Sequence, residues 1–301
     1  MTYSHFSQIT EKVKGSGKIK RMAIAVAGDL HTLEAALDAS KAGLIQPVLV
    51  GDKGEINAIL DNLGEKVPEN DIYHAVEGAE ACDLAVRLVR EGKADFLMKG
   101  NIDTAVLMKS VVNKETGLAK GALMSHFCIF EVPTYHKLLT IVDGGMVPYP
   151  TLEQKKFIIE NTVATLLDLG YDCPKVGVLA CIEKVNPKMP ETVEADELAK
   201  MNQRGEIKNC IVNGPVSYDC AVSKEIAGIK GYTAEVAGDA DILIAPNIHA
   251  GNFMGKMLTC SCKAKLAGII VGAKCPIVLT SRGSSAEEKL LSIMISAAAS
   301  K

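Results

Sequence analysis

From about residue 20 of this 301-residue chain, short apolar runs alternate with longer amphipathic stretches. Met22-Ala-Ile-Ala-Val-Ala27 reads as a buried strand that Gly28-Asp29 ends, and Thr32 to Ala42 as a helix. Val48-Leu-Val50 is the next strand, followed by Gly51-Asp52 and a helix from about Glu55. Ile72-Tyr-His74 is a weaker strand. Glu80 to Glu91 places Ala81, Leu84, Ala85, Leu88 and Val89 on one helical face. Phe96-Leu-Met98 then runs into Lys99-Gly100-Asn101.

The rhythm changes near residue 123. Phe127 to Val132 and Leu138 to Val142 are two strand-like runs with only Pro133-Thr-Tyr-His136 between them. That gap fits a hairpin and is too short for a helical crossover. Asp143-Gly-Gly-Met-Val-Pro-Tyr-Pro150 follows, rich in glycine and proline, and is the candidate crossing between domains. Alternation then resumes: helix over Leu152 to Leu169, strand over Val176 to Cys181, helix over Val193 to Asn202, strand at Cys210-Ile-Val212, helix over Asp219 to Ile226, strand over Ile242 to Ala245. Pro246-Asn-Ile-His-Ala-Gly-Asn252 reads as a glycine-bearing loop.

These patterns predict an α/β protein with two lobes, mainly parallel sheets and an inter-lobe cleft. The first lobe takes residues 1–142 plus 271–301 and the second takes residues 143–270, the last strand and helix returning to complete the first. Ligands of parallel α/β sheets sit beyond the carboxyl ends of the strands. The polar residues expected there are Asp29, Lys99, Asn101, Asp143, Asn213, Asn247, His249, Asn252, Ser281 and Arg282.

Composition narrows the class. Hydrophobic residues make up 48% of the chain and mean hydropathy is +0.17, enough for a sizeable core. Lys+Arg number 33 against 36 Asp+Glu, so no polyanion partner is indicated. With no Trp and 4% aromatics, a base-stacking surface for nucleic acid is not expected either. No apolar run spans a bilayer, no signal-like leader stands at the N-terminus, and the nine scattered cysteines suit buried thiols in a reducing cytoplasm. Cys260-x-Cys262 has no second half, so no metal is expected.

Several motifs fail on inspection. No strand-associated G-x-G-x-x-G is present, and Gly251-Asn-Phe-Met-Gly255-Lys256 has the wrong spacing for a phosphate loop, with Met257 where Ser or Thr would hold magnesium. His126 and His249 suit hydrogen-bonded or core positions, and Cys128 and Cys210 suit core thiols. The most informative stretch is Pro276-Ile-Val-Leu-Thr-Ser-Arg-Gly-Ser-Ser-Ala-Glu-Glu-Lys-Leu290. It reads as a strand, a tight turn and a helix that Ser284 or Ser285 caps. The N–H groups of the first helical turn, its dipole and Arg282 together would bind a small, multiply charged anion such as phosphate. Ser285-x-x-Glu288 is equally a capping box, in which Glu288 does no chemistry. Taken alone, the stretch fits the cap better.

Six segments in order resemble the phosphate acetyl/butyryltransferase family, most nearly its phosphate butyryltransferase branch. They are Met98 to Thr104, Asn186 to Pro190, Asn213 to Ala221, Val236 to Ile242, Pro246 to Asn252 and Leu279 to Arg282. The resemblance implies a fold like the isocitrate/isopropylmalate dehydrogenases, a dimer or larger homo-oligomer, and the reaction acyl-CoA + phosphate ⇌ acyl phosphate + CoA. Coenzyme A is then a substrate, and no cofactor is implied. The resemblance puts Ser281 and Arg282 on phosphate, the thiol sulfur and the developing carbonyl oxyanion. Glu288, with Glu287 beside it, stands where the acetyl branch carries an Asp general base. Lys99, Asn101, Asp143, Asn247, Asn252, Lys256 and Ser284 become candidates for holding phosphate or CoA. A butyryl-like acyl group is expected before acetyl. A non-catalytic sensor of acyl-CoA or an anion is the alternative of another class.

Overall fold

The computed structural model describes residues 2–121, 123–279 and 283–301. The chain divides into two compact units: Met1–Phe6 with Ala122–Leu266, the mid-chain unit, and Ser7–Gly121 with Ala267–Lys301, the end unit. The sequence reading placed the changes of unit at 142/143 and 270/271.

In the end unit, helix α1 (Phe6–Gly15) precedes strand β1 (Lys20–Ala25). Then come α2 (Leu30–Lys41), β2 (Ile45–Gly51), α3 (Lys53–Leu63), β3 (Ile72–His74), α4 (Gly78–Arg90), β4 (Phe96–Lys99) and α5 (Thr104–Val111). The same unit takes β10 (Lys265–Val271, from Ala267), β11 (Ile277–Val278) and α11 (Ala286–Ala299). Its strands lie in the order β3-β2-β1-β4-β11-β10. All neighbours are parallel except β11 against β10. The central strands bury Met22, Ile24, Leu49, Phe96, Leu97, Ile277 and Val278, as strands covered on both faces should. Asp29 and Asp52 start α2 and α3 by accepting the N–H groups of Thr32 and Glu55, and Gly64 ends α3 in the left-handed conformation.

The mid-chain unit holds β5 (Ser125–Glu131), β6 (Leu139–Val142), α6 (Leu152–Asp168), β7 (Lys175–Leu179), α7 (Pro190–Gln203) and β8 (Ile211–Val216). It continues with α8 (Tyr218–Val222), α9 (Lys224–Lys230), β9 (Ile242–Ile244) and α10 (Ile248–Cys260). Strand order is β5-β6-β9-β7-β8, with β5 and β6 an antiparallel hairpin and the rest parallel. Thr151 and Gln154 form a full capping box on α6.

Three local expectations are corrected. The single helix expected over Asp219 to Ile226 is two, because Ser223 leaves helical geometry and caps α9 through the Ile226 N–H. The loop expected over Pro246 to Asn252 is mostly helix, because Asn247 caps α10 by accepting the Ala250 N–H. Asn213 lies inside β8, not beyond its end.

At the amino ends of the mid-chain strands, Lys137 Nζ lies 2.8 Å from both Asp239 Oδ1 and Asp241 Oδ1, with its side chain 6% exposed. Lys175, the first residue of β7, also pairs with Asp239, and its backbone N–H donates to Asp241 Oδ2 at 2.8 Å. Segment 236–242 is therefore an electrostatic clasp. Removing one partner from such a buried pair strands the other charges. Lys137→Met should destabilise the protein by about 3–5 kcal/mol in urea unfolding. A loss below about 1 kcal/mol, the level of a surface pair, would show the clasp to be weak.

Candidate active site

In the end unit, β4 delivers Lys99 to the carboxyl edge of the sheet. Its ammonium donates to the carbonyls of Gly100 at 3.2 Å and Ile102 at 2.8 Å, so it curls over the loop that follows its own strand. That loop is pressed onto the end of β1. The Gly100 N–H donates to Ala25 O at 2.8 Å and the Asn101 N–H to Val26 O at 2.9 Å. A Cβ on Gly100 would stand 2.1 Å from Val26 O, so only glycine fits. Asn101 itself is exposed.

Strand β11 runs parallel to β4, with Ile277 beside Leu97 and Val278 beside Met98, so both strands hand the chain to the same edge. Ser281 and Arg282 lie outside the described residues. The chain resumes at Gly283, and Ser285 caps α11 by accepting the Glu288 N–H at 3.1 Å. The Glu288 carboxylate accepts the Ser284 hydroxyl at 2.7 Å and is half-buried. Glu287 is exposed and lines a surface cavity of about 650 Å³ whose wall also includes Ser284, His31, Asp38 and Lys41. The two glutamates therefore have different surroundings. Glu288 is held by Ser284, a neighbour fixed at the start of the helix.

In the mid-chain unit the organising group is Asp143, 3% exposed. Its Oδ2 accepts the His126 N–H at 2.8 Å, and its Oδ1 accepts those of Gly145 and Met146, each at 2.8 Å. The carboxylate thus stabilises the turn after β6. Asn252 Nδ2 donates to Gly144 O at 3.0 Å, tying α10 to that turn. Asn247 caps the helix, and Lys256 stands exposed one turn beyond Asn252. His249 sits in the first turn of α10, its Nε2 3.0 Å from Tyr149 Oη. His126 is half-buried, with Cys128 Sγ 3.4 Å from its Nε2. Burial holds its imidazole below the ordinary histidine pKa, against the Asp143 carboxylate, which raises it.

The structure thus joins Ser284 to Glu288 in one unit, and Asp143 and Gly144 to Asn252 in the other. One cluster went unnoticed in the sequence. The Ser217 hydroxyl lies within hydrogen-bond reach of both the Glu183 and Asp219 carboxylates, and Lys230 Nζ lies 3.1 Å from Glu183 Oε1 and 2.9 Å from Asp219 Oδ2. Glu183, Asp219 and Cys220 have donor atoms close enough for a metal, but the Lys230 ammonium already supplies the cation. The signal in sequence was faint, since these residues are scattered over two loops and two helices.

Comparison with known proteins settles the kinship. Residues 64–297 match the family model described as "Phosphate acetyl/butaryl transferase", well over half of the chain. The chain belongs to this phosphate acetyl/butyryl transferase family. It is 44% identical over 292 residues to the phosphate butyryltransferase of Clostridium acetobutylicum, covering 97% of each chain. It is 46% identical over 292 residues to the phosphate acetyltransferase of Thermotoga maritima, covering 96% of this chain and 98% of the other. Among solved structures, a branched-chain phosphotransacylase from Enterococcus faecalis V583 superposes with a TM-score of 0.81 at 31% identity, covering 93% of this chain and 99% of that one. A 4-hydroxythreonine-4-phosphate dehydrogenase from Burkholderia phymatum, 14% identical, covers 94% of this chain and 99% of that one with a TM-score of 0.57. That last likeness concerns the fold alone and matches the dehydrogenase-like architecture that the family resemblance implied. Among the described residues no helix is long and apolar enough to cross a membrane.

His126 offers a test of this environment. Its folded pKa lies below its unfolded value, so the unfolded chain takes up the proton first as pH falls. The contribution to stability is full above about pH 6.5, the unperturbed histidine value, and is lost as pH drops below it. His126→Gln should therefore flatten the acid limb of a plot of Tm against pH. An unchanged difference in Tm between pH 7.5 and 5 would refute the assignment.

Proposed function

We propose that the protein transfers a short-chain acyl group between coenzyme A and inorganic phosphate: acyl-CoA + phosphate ⇌ acyl phosphate + CoA. The observation that carries this is the near-complete overlap with both butyryl- and acetyltransferase relatives at 44% and 46% identity. The start of α11 supports it, since an anion there would meet the N-terminus of a helix, and Arg282 precedes the cap Ser285 by three residues in the sequence.

In this reading a phosphate oxygen attacks the thioester carbonyl directly. A C–O bond forms, the C–S bond breaks, and the proton lost by phosphate ends on the CoA sulfur. Much of the rate gain comes from holding the two reactants together. Arg282 and the α11 amides neutralise phosphate and the oxyanion that develops, and Ser281 bonds phosphate or the sulfur. Glu288, oriented by Ser284, shuttles the proton; in the reverse direction it takes the CoA thiol proton, because the thiolate is the nucleophile. Lys99, Asn101 and Lys256 are the further polar groups we assign to substrate phosphates. Asp143, Asn247 and Asn252 act by shaping the backbone around them. We assign the acyl group as butyryl-like, with acetyl as the alternative, and the assembly as a homo-oligomer.

Purified protein mixed with butyryl-CoA should release free thiol only when phosphate is present. Release without phosphate would indicate hydrolysis, and CoA binding without release would indicate a sensor. Arg282→Ala should lower kcat/KM by about 10²–10³-fold, the cost of losing one oxyanion donor, with unchanged circular dichroism. Glu288→Gln should cost about 10²-fold and Glu287→Gln far less. Equal losses at the two glutamates would remove Glu288 from its special role.

A further inference from the structure

The polar residues assigned above account for phosphate and the CoA phosphates, but none of them offers a place for a hydrocarbon tail. The mid-chain unit does. A cavity of about 410 Å³ opens among Leu179, Met189, Tyr218, Pro246, Ala250 and Met254. Its size lies within the range of small-molecule sites. Leu179 is the last residue of β7, Tyr218 stands two residues past β8, and Pro246 stands two past β9. These three strands are mutually parallel, so the cavity occupies their carboxyl edge, where ligands of such sheets bind.

Three of the family-like segments, Asn186 to Pro190, Asn213 to Ala221 and Pro246 to Asn252, meet at this cavity through Met189, Tyr218, Pro246 and Ala250. Two of them also hold polar groups engaged elsewhere. Asn247 caps α10, and Ser217 is bound to Glu183 and Asp219. What these segments present to the cavity is mostly apolar: Met189, Pro246, Ala250 and the ring of Tyr218. The one carboxylate in its wall among the described residues, Glu191, is exposed to solvent.

We propose that this cavity receives the alkyl chain of the acyl group and sets chain-length preference, an inference that rests on the acyl-transfer reading. A short alkyl chain gains by leaving water for such a wall. Met189 and Met254 are unbranched and adaptable, so straight and branched chains of similar volume fit the same space. Ala250 and Met254 lie one turn apart on α10, so the helix presents both to the chain and the small residue sets the depth.

Two variants test this in opposite directions. Ala250→Leu fills the cavity, and Met254→Ala deepens it. Affinities for free CoA, acetyl-CoA, butyryl-CoA and hexanoyl-CoA would be measured by calorimetry, and kcat/KM by phosphate-dependent thiol release, on variants shown to be folded by circular dichroism. For Ala250→Leu the butyryl-to-acetyl ratio should fall about tenfold, the usual worth of apolar pocket contacts. For Met254→Ala the hexanoyl-to-butyryl ratio should rise about fourfold. Ratios unchanged in both variants overturn the proposal. So does an equal loss for free CoA and every acyl-CoA, which would place the pantetheine arm in the cavity. Wild-type protein that binds acyl-CoA without turnover sinks the transfer reading alone, because the affinity ratios still report on the cavity.

Discussion

The carboxylate of Asp143 is the constraint on which the mid-chain unit's functional edge depends. A buried charge is costly unless hydrogen bonds replace its water. Here three backbone N–H groups do so, from His126 on β5 and from Gly145 and Met146 in the turn after β6. The turn is thereby fixed against the hairpin. It also comes so close to α10 that a Cβ on Gly251 would stand 2.5 Å from Asp143 O. Asn252 then closes the arrangement on Gly144 O. With its first turn held at two points, α10 has one orientation, and Ala250 and Met254 face the cavity at the strand ends as a consequence. A residue read in the sequence as a direct contact to substrate is thus better understood through the backbone it organises.

The end unit solves a related problem with glycine. Its edge is built by pressing the loop after β4 onto the end of β1 through Gly100, with two backbone hydrogen bonds across the seam. Lys99 stays at this edge because its ammonium bonds the loop it precedes. Such seams orient functional groups without a dedicated side-chain scaffold.

Much of this was legible in the chain. Buried parallel strands announce themselves as short apolar runs, and the hairpin of β5 and β6 followed from a gap too short for a crossover. Helix α1 was missed although Phe6, Ile9 and Val13 are buried at helical spacing, because the flanking polar residues dilute the pattern. Strand β10 was missed because Gly268 interrupts its apolar run. Helix α10 was mistaken for a loop because its glycines and asparagines are turn residues by composition. Which of them caps the helix and which anchors it is decided by tertiary contacts with the 143–146 turn. The cavity was not legible at all, since its walls come from the end of one strand, two separated loops and three helices.

The surroundings of the cysteines bear on how acyl transfer is carried out. Burial pushes the Cys82 thiol up to about 11 and those of Cys210 and Cys275 up to about 12. At neutral pH these three are thiols packed in the core, a poor state for nucleophiles. A route through an enzyme-bound thioester at any of them would have to expose and ionise a core residue. Direct attack by phosphate asks for none of that. It needs two substrates held in register, a positive region for the oxyanion, and one carboxylate to move a proton. In the proposed reading Glu288 is that carboxylate: Ser285 accepts the Glu288 N–H at the helix cap, while Ser284 donates to the carboxylate. The adjacent serines thereby separate two roles that a lone capping box would have merged in one side chain.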